Sequence, residues 1–173
     1  MSAVDNTPSN RNFLSPLNFS FRIKKAPNVN FFIQKVNLPE IFVPNLEIKN
    51  EHVTAPYPGE HLSYGDLKLE FMVDEDLLNY LEIHNWMIAY GKPQSYQQYK
   101  DIADVKPYTG EGIISDISLF ITNSVHYANY EVVYTDAFPV RLSGLQFRTN
   151  DADIKFLTAE ATFKYTYYDI VSL

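Results

Sequence analysis

Asp66-Leu67-Lys68-Leu69-Glu70-Phe71-Met72-Val73 alternates without a break. Leu67, Leu69, Phe71 and Val73 fall on one face, and Asp66, Lys68, Glu70 and Met72 on the other, the period-two signature of a half-buried strand. A helix is expected directly after it. Asp74 is placed to cap its N-terminus, Glu75 and Asp76 put negative charge in the first turn, and Gly91 then Pro93 supply the stop. Between these signals Leu77, Leu78, Tyr80, Leu81, Ile83, Trp86, Met87, Ile88 and Tyr90 cover well over half of the helix circumference. A helix lying on a single surface shows a narrower stripe, so burial on two sides is expected, only one of them by the chain's own sheet.

The same alternation extends outward in both directions. Toward the N-terminus, Phe19, Phe21 and Ile23 alternate with Ser20, Arg22 and Lys24. Ala26-Pro27-Asn28 reads as a turn, and Phe31 to Val36 as the returning strand. Residues 1–16 are polar, carry Pro8 and Pro16, and read as a flexible arm that only a partner would order. Residues 17–173 read as one domain. Toward the C-terminus, residues 94–105 suggest a short polar helix and 107–112 a loop. Four strand candidates follow: Ile113–Thr122, Tyr130–Tyr134, Pro139–Arg148 and Phe156–Tyr168, with Asn150-Asp151-Ala152-Asp153 turning the last pair into a hairpin. In the final strand Ala159, Ala161, Phe163, Tyr165 and Tyr167 oppose Glu160, Thr162, Lys164 and Thr166. The chain shows no internal repeat. The sum is a mainly β fold, an antiparallel β sandwich or barrel with one α-helix.

Residues 38–65 break this pattern. They hold Pro39, Pro44, Pro56, Pro58, Gly59 and Gly65, yet also Ile41, Phe42, Val43, Leu46, Ile48 and Val53. Prolines at this density exclude the interior of a central sheet, because each removes a ladder donor. Two readings stand: an extended hairpin or arm packing on another copy of the chain, or a long surface connection folded back on its own domain.

Composition sets the outer bounds. A length of 173 residues suits one domain, and 46% hydrophobic with 20% charged residues excludes disorder of the whole chain. Aromatic residues at 15%, mostly Tyr and Phe, favour strands. The absence of Cys removes disulfides, thiolate metal sites and Cys nucleophiles together. No apolar run reaches the ~18–20 residues of a membrane helix, and the opening Met1-Ser2-Ala3-Val4-Asp5-Asn6 lacks the pattern of a secretory signal. A soluble chain made in a cytoplasm, without membrane insertion, is the expectation. The net charge of −7, with Lys24-Lys25 as the only adjacent basic pair, argues against gripping nucleic acid by its phosphates.

Catalytic and metal chemistry find little footing. His52, His61, His84 and His126 are dispersed without ligand spacing, and Glu82-Ile83-His84 places its two polar residues on different helix faces. No nucleophile elbow, phosphate-binding loop or dinucleotide fingerprint is present. Asp74-Glu75-Asp76, the densest acidic cluster, is accounted for by its place at a helix start. The reading is no enzyme, no metal and no cofactor. Exposed tyrosines could stack sugars on a monomeric carbohydrate-binding β sandwich, an alternative of a different class.

The order of elements resembles the tail tube protein family of bacteriophages, the T4-like contractile tail tubes and related baseplate tube proteins. The resemblance rests on Asn18-Phe19-Ser20-Phe21-Arg22, on Asn37-Leu38-Pro39 before a long hairpin, on the alternating strand 66–73, and on the helix bearing Trp86. It rests most on the end: Ala137-Phe138-Pro139, Leu142-Ser143-Gly144-Leu145-Gln146-Phe147, Asp153-Ile154 and Phe163-Lys164-Tyr165-Thr166-Tyr167-Tyr168. It covers roughly residues 17–170. The length of the 1–16 arm and the prolines of 38–65 depart from a minimal tube subunit, and leave open a tube initiator or terminator ring.

The resemblance implies a structural subunit whose copies form hexameric rings, closing their strands into one continuous β barrel. Rings stack into a channel for DNA passage during ejection, without specific DNA binding. The implied partners are further copies of the chain, a tail sheath protein, a baseplate hub or initiator and a tape-measure protein. The implied location is the virion tail, assembled in the bacterial host cytoplasm. On this reading Asp66, Glu70, Asp116 and Glu160 are candidate channel-facing carboxylates, although any isolated sandwich would also expose them. Ile41, Phe42, Val43, Leu46, Ile48, Val53 and Trp86 are candidate inter-subunit contacts. Arg141, Arg148 and Lys155 are candidate inter-ring charges.

Overall fold

A computed structural model describes residues 12–49, 52–91, 96–97, 100, 112–149 and 156–173. Its strands are β1 (Phe19–Ile23), β2 (Ile33–Val36), β3 (Ile41–Phe42), β4 (Asn45–Lys49), β5 (Thr54–Pro58), β6 (Ser63–Tyr64), β7 (Leu67–Met72), β8 (Ser115–Thr122), β9 (Ala128–Leu142), β10 (Thr158–Lys164) and β11 (Tyr167–Ser172). The helices are α1 (Pro27–Phe32) and α2 (Leu78–Gly91). Seven strands form one antiparallel sheet in the order β1-β8-β9-β10-β7-β2, with β11 also paired to β9.

Strand β9 organises the sheet. Its first part pairs with β8 and β11, and its last residues pair with β10. The register with β8 slips between Ser115 and Ile117, opposite residues 134–137, and Asp136 there has a φ of 56°. Such a bulge bends a strand and strengthens its twist, so β9 passes from one half-sheet (β1, β8, β11) into the other (β10, β7, β2). The inner faces enclose one core: Phe21, Ile23, Ile117, Leu119, Val132 and Tyr134 from the first, Leu67, Leu69, Phe71, Ala159, Ala161 and Phe163 from the second. Helix α2 packs into it through Ile83 and Trp86, the latter 6.0 Å from the Phe163 ring between centroids.

The alternation in β1, β7, β8 and β10 is as the sequence dictates, but four expectations need correction. Among the described residues two helices have full bounds where one was expected. Pro27 sits at the start of α1, where its fixed φ is already helical, and the Asn30 side chain accepts from Ile23 N–H (2.7 Å) and donates to its carbonyl (3.2 Å). The expected turn is therefore the first turn of a helix, and the returning strand starts at Ile33. Second, α2 starts later than expected. The Asp74 carboxylate accepts the Asp76 N–H within a preceding turn, Leu77 lies at φ 57°, and the Leu77 carbonyl takes the Leu81 N–H (2.9 Å). No acidic residue lies in the helix's first turn.

Third, the expected strands 130–134 and 139–148 are one strand ending at Leu142, because the bulge bends the chain without breaking it. Fourth, the final strand is two. The alternation changes phase at Thr166, so that Tyr168 is buried and Tyr167 exposed where the reverse was expected. The arm 1–16 lies mostly outside the described residues, as do Pro93, most of 94–105, the loop 107–111 and the 150–153 turn.

Candidate assembly surface

The segment 38–65 forms a two-stranded arm. Strand β3 pairs with β6 near the body and β4 with β5 farther out, as Ile41↔Tyr64 and then Asn45↔Pro58 to Lys49↔Thr54. Cross-strand partners share a face. Leu46, Ile48, Ala55 and Tyr57 therefore line one side of the ribbon, and Asn45, Glu47, Lys49, Thr54, Pro56 and Pro58 the other. Every residue of β4 and β5 is exposed, with Leu46 at 57%, Ile48 at 52% and Tyr57 at 59%. Ile41, Phe42, Val43 and Val53 are exposed as well. Pro56 and Pro58 have the same parity and remove donors from one edge of β5. With the β4 side paired, that edge is the outer one, and strand addition there is blocked. The ribbon thus leaves its apolar face, Leu46, Ile48, Ala55 and Tyr57, exposed.

The root of the arm is fixed at several points. Gly65 N–H donates to the Glu40 carbonyl (2.9 Å), and Gly59 N–H to the Pro44 carbonyl (2.7 Å). A Cβ at Gly59 would stand 2.5 Å from the Pro44 oxygen, so this crossing requires glycine. The Asn37 amide donates to the Asp66 carbonyl (2.9 Å) and accepts from Lys68 N–H (2.6 Å). Tyr165 Oη donates to the Gly65 carbonyl (2.9 Å) and Tyr168 Oη to the Pro39 carbonyl (3.2 Å). These two rings pack with Tyr64 and the fully buried Tyr134, whose centroid lies 5.1 Å from that of Tyr165. Burial first, then the neighbouring phenols of Tyr168 and Tyr64 and the Asp66 carboxylate, push the Tyr165 phenol up to about 12. Burial and then Tyr165 and Tyr168 push Tyr134 up as well. Asn37, Gly59, Tyr165 and Tyr168 stand in stretches quoted from the sequence, but none was assigned a part in holding the arm. The Tyr-rich end of the chain was the available signal, but it carries no indication that it meets residues 39 and 65.

The candidate carboxylates divide into three and one. Asp66, Glu70 and Glu160 share the outward side of the second half-sheet, and Glu70 directly faces Glu160 across the β7–β10 pair. They are interleaved with cations: Lys164 lies 2.5 Å from Asp66, Lys35 is in register with Glu70, and Lys68 and Arg141 both oppose Thr162, from its two neighbouring strands. Asp116 is on β8 in the other half-sheet and pairs with Lys24 at 3.3 Å. The outward side of the second half-sheet is thus a mixed-charge surface.

Trp86 is 2% exposed, and its indole N–H donates to the Ile113 carbonyl (2.6 Å). It is spent in its own core, and its proposed inter-subunit role is withdrawn. What α2 leaves uncovered instead is Leu78 and Leu81, three residues apart on its outer side. Arg141 and Arg148 are exposed, and Arg148 donates to the Gln146 side chain (3.1 Å); Lys155 lies outside the described residues. Among the described residues no three of His, Asp and Glu converge to hold a metal ion.

A family model described as phage tail tube protein matches residues 6–171. No curated protein sequence matches the chain. Solved structures share the fold at low identity. The chain is similar to one in the anti-feeding prophage cap, a tube-terminating cap (12% identity, TM-score 0.63, all of both chains covered). It is similar to one in the extended sheath-tube complex of the extracellular contractile injection system PVC (14%, 0.60, covering 100% of this chain and 99% of that one). A chain of the anti-feeding prophage baseplate is similar too (11%, 0.59, 88% and 90%).

Proposed function

This chain belongs to the phage tail tube protein family, and on that premise we propose that it is a structural subunit whose copies form hexameric rings stacked into a tube, a channel for DNA during ejection. The arm carries this reading. A ribbon with one apolar face and a blocked outer edge has no cover among the described residues. Covering Leu46, Ile48 and Tyr57 on a neighbour would contribute on the order of 1–2 kcal/mol each, repeated around every ring. The outer edges of β1, β2 and β11 have no strand partner among the described residues, and ring closure would supply one.

The outward side of the second half-sheet suits a channel wall. Asp66, Glu70 and Glu160 alternate there with Lys35, Lys68, Lys164 and Arg141, so the carboxylates would compete with phosphates for each cation and weaken any grip on a passing strand. Asp116, already paired with Lys24, would add little. Arg141 and Arg148 lie exposed near the end of β9 and beyond it, where ring-to-ring ion pairs are proposed. The sheath, the baseplate initiator and the tape-measure protein are the proposed partners in a virion tail, and the subunit acts by assembly without catalysis.

Electron microscopy of the purified protein tests the reading. Hollow rings or tubes are expected, and Leu46→Ser with Ile48→Ser should abolish them while the subunit stays folded. Single rings that refuse to stack would assign the chain to a tube end. A compact monomer at every concentration, with or without a tube end as seed, overturns the proposal.

A further inference from the structure

The two strands of the arm leave the body at Pro39 and at Gly65, and each exit carbonyl is held by a phenol from the far end of the chain. Tyr168 reaches Pro39 across 129 residues of sequence, and Tyr165 reaches Gly65 across 100. The Asn37, Glu40 and Gly65 bonds tie the two strands of the root to each other, and a single further attachment to the last strands would leave that pair free to pivot about it. Two, one on each strand, remove that freedom, and beyond them every residue of β4 and β5 is exposed and gives no further guidance. Tyr64, on the arm's own strand β6, packs its ring against both phenols, at 5.9 Å from Tyr165 and 5.4 Å from Tyr168. Tyr134 completes the cluster, yet its buried hydroxyl has no hydrogen-bond partner among the described residues. We infer that Tyr165 and Tyr168 are positioning residues, which set the direction of the arm before any partner arrives, by pinning its two exits to the last strands of the body.

Removing only the hydroxyls separates this role from packing, because Phe keeps the rings and their contacts. The chain has no Cys, so two introduced cysteines at exposed sites, Lys49→Cys on the arm and His84→Cys on α2, would be its only thiols. Nitroxides on these two positions report the arm-to-body distance in the dilute subunit by pulsed electron paramagnetic resonance. A single narrow distance distribution is expected. It should be lost in Tyr165→Phe/Tyr168→Phe, broaden partly in each single variant, and persist in Tyr134→Phe, whose hydroxyl bonds to nothing among the described residues.

An unchanged distribution in the double variant, or equal broadening in Tyr134→Phe, would overturn the inference. Thermal unfolding run on the same samples should differ little, and if the double variant does not fold, the single variants decide. The consequence for assembly rests on the tube reading above. If the correctly directed arm falls to a tenth of the population, each subunit's apparent affinity for the growing ring should weaken about tenfold, and the loss compounds over the subunits of the ring. The distance measurement needs no assembly, so failure of the tube reading would leave it standing, and rings formed by subunits with a mobile arm would separate the two.

Discussion

Strands β7 and β4 follow the same alternating pattern and end in opposite environments. Leu67, Leu69 and Phe71 are 0%, 1% and 0% exposed, whereas Leu46 and Ile48 keep more than half of their surface. Alternation decides that a segment becomes a two-faced ribbon; what lies across from the apolar face is decided elsewhere in the chain. For β7 that is α2 and the opposite half-sheet. For β4 it is nothing within the described chain. The body is a finished core, and the arm is half of one.

This contrast can be broken at its strongest point first. Phe71→Ala should cost the isolated subunit about 3–5 kcal/mol by denaturant titration, since it empties a fully enclosed site. A loss under ~1 kcal/mol would mean that the body is less closed than described. Gly59→Ala acts where the arm crosses itself, and the added methyl must displace the Pro44 carbonyl. Roughly 1–3 kcal/mol is expected, confined to the arm, and amide exchange should show lost protection at residue 59 with the β7–β10 ladder unaffected. Opening of the whole sheet would show that the arm supports the body.

A smaller effect is expected from pH. The Tyr165 phenol is raised to about 12 in the folded chain against 10 ordinarily. The neutral form is therefore the one the fold favours, and its contribution is complete below pH ~10 and disappears as pH rises through 12. Stability should fall in that window, and Tyr165→Phe should flatten the fall, as followed by phenolate absorbance together with circular dichroism. The smallest effect on the subunit sharpens the contrast most. Leu46→Ser with Ile48→Ser should change its stability by no more than ~0.5 kcal/mol while abolishing rings in the micrographs.

Much of this was legible in the sequence where the cause is local. The strands around residues 19–23, 67–72, 115–122 and 158–164 follow from alternation, and the exclusion of 38–65 from the main sheet follows from its prolines, while composition left open whether that segment stands out as an arm or folds back on its own domain. Where the cause is a distant contact, the reading failed. Pro27 looks like a turn residue until Asn30 is seen clasping Ile23. The β9 strand looks like two because nothing in residues 134–137 announces a bulge that depends on β8. The phase change at Thr166 reflects a passage between half-sheets, which the residues alone do not mark. Of the candidate site, the shared side of Asp66, Glu70 and Glu160 follows from parity and register. The pairing of Asp116 with Lys24 joins residues 92 apart in the chain and could not be read locally. Trp86 was misassigned because a wide apolar girdle on a helix tells that two sides are apolar, without telling which side its own sheet takes.

The unbroken course of β9 has a mechanical consequence. Fifteen residues of extended chain, ~50 Å long, run through both half-sheets and carry neighbours on either side. A pull along this strand loads many hydrogen bonds in shear at once, so the two half-sheets transmit force as one beam, with the bend at Asp136 built in as a fixed angle.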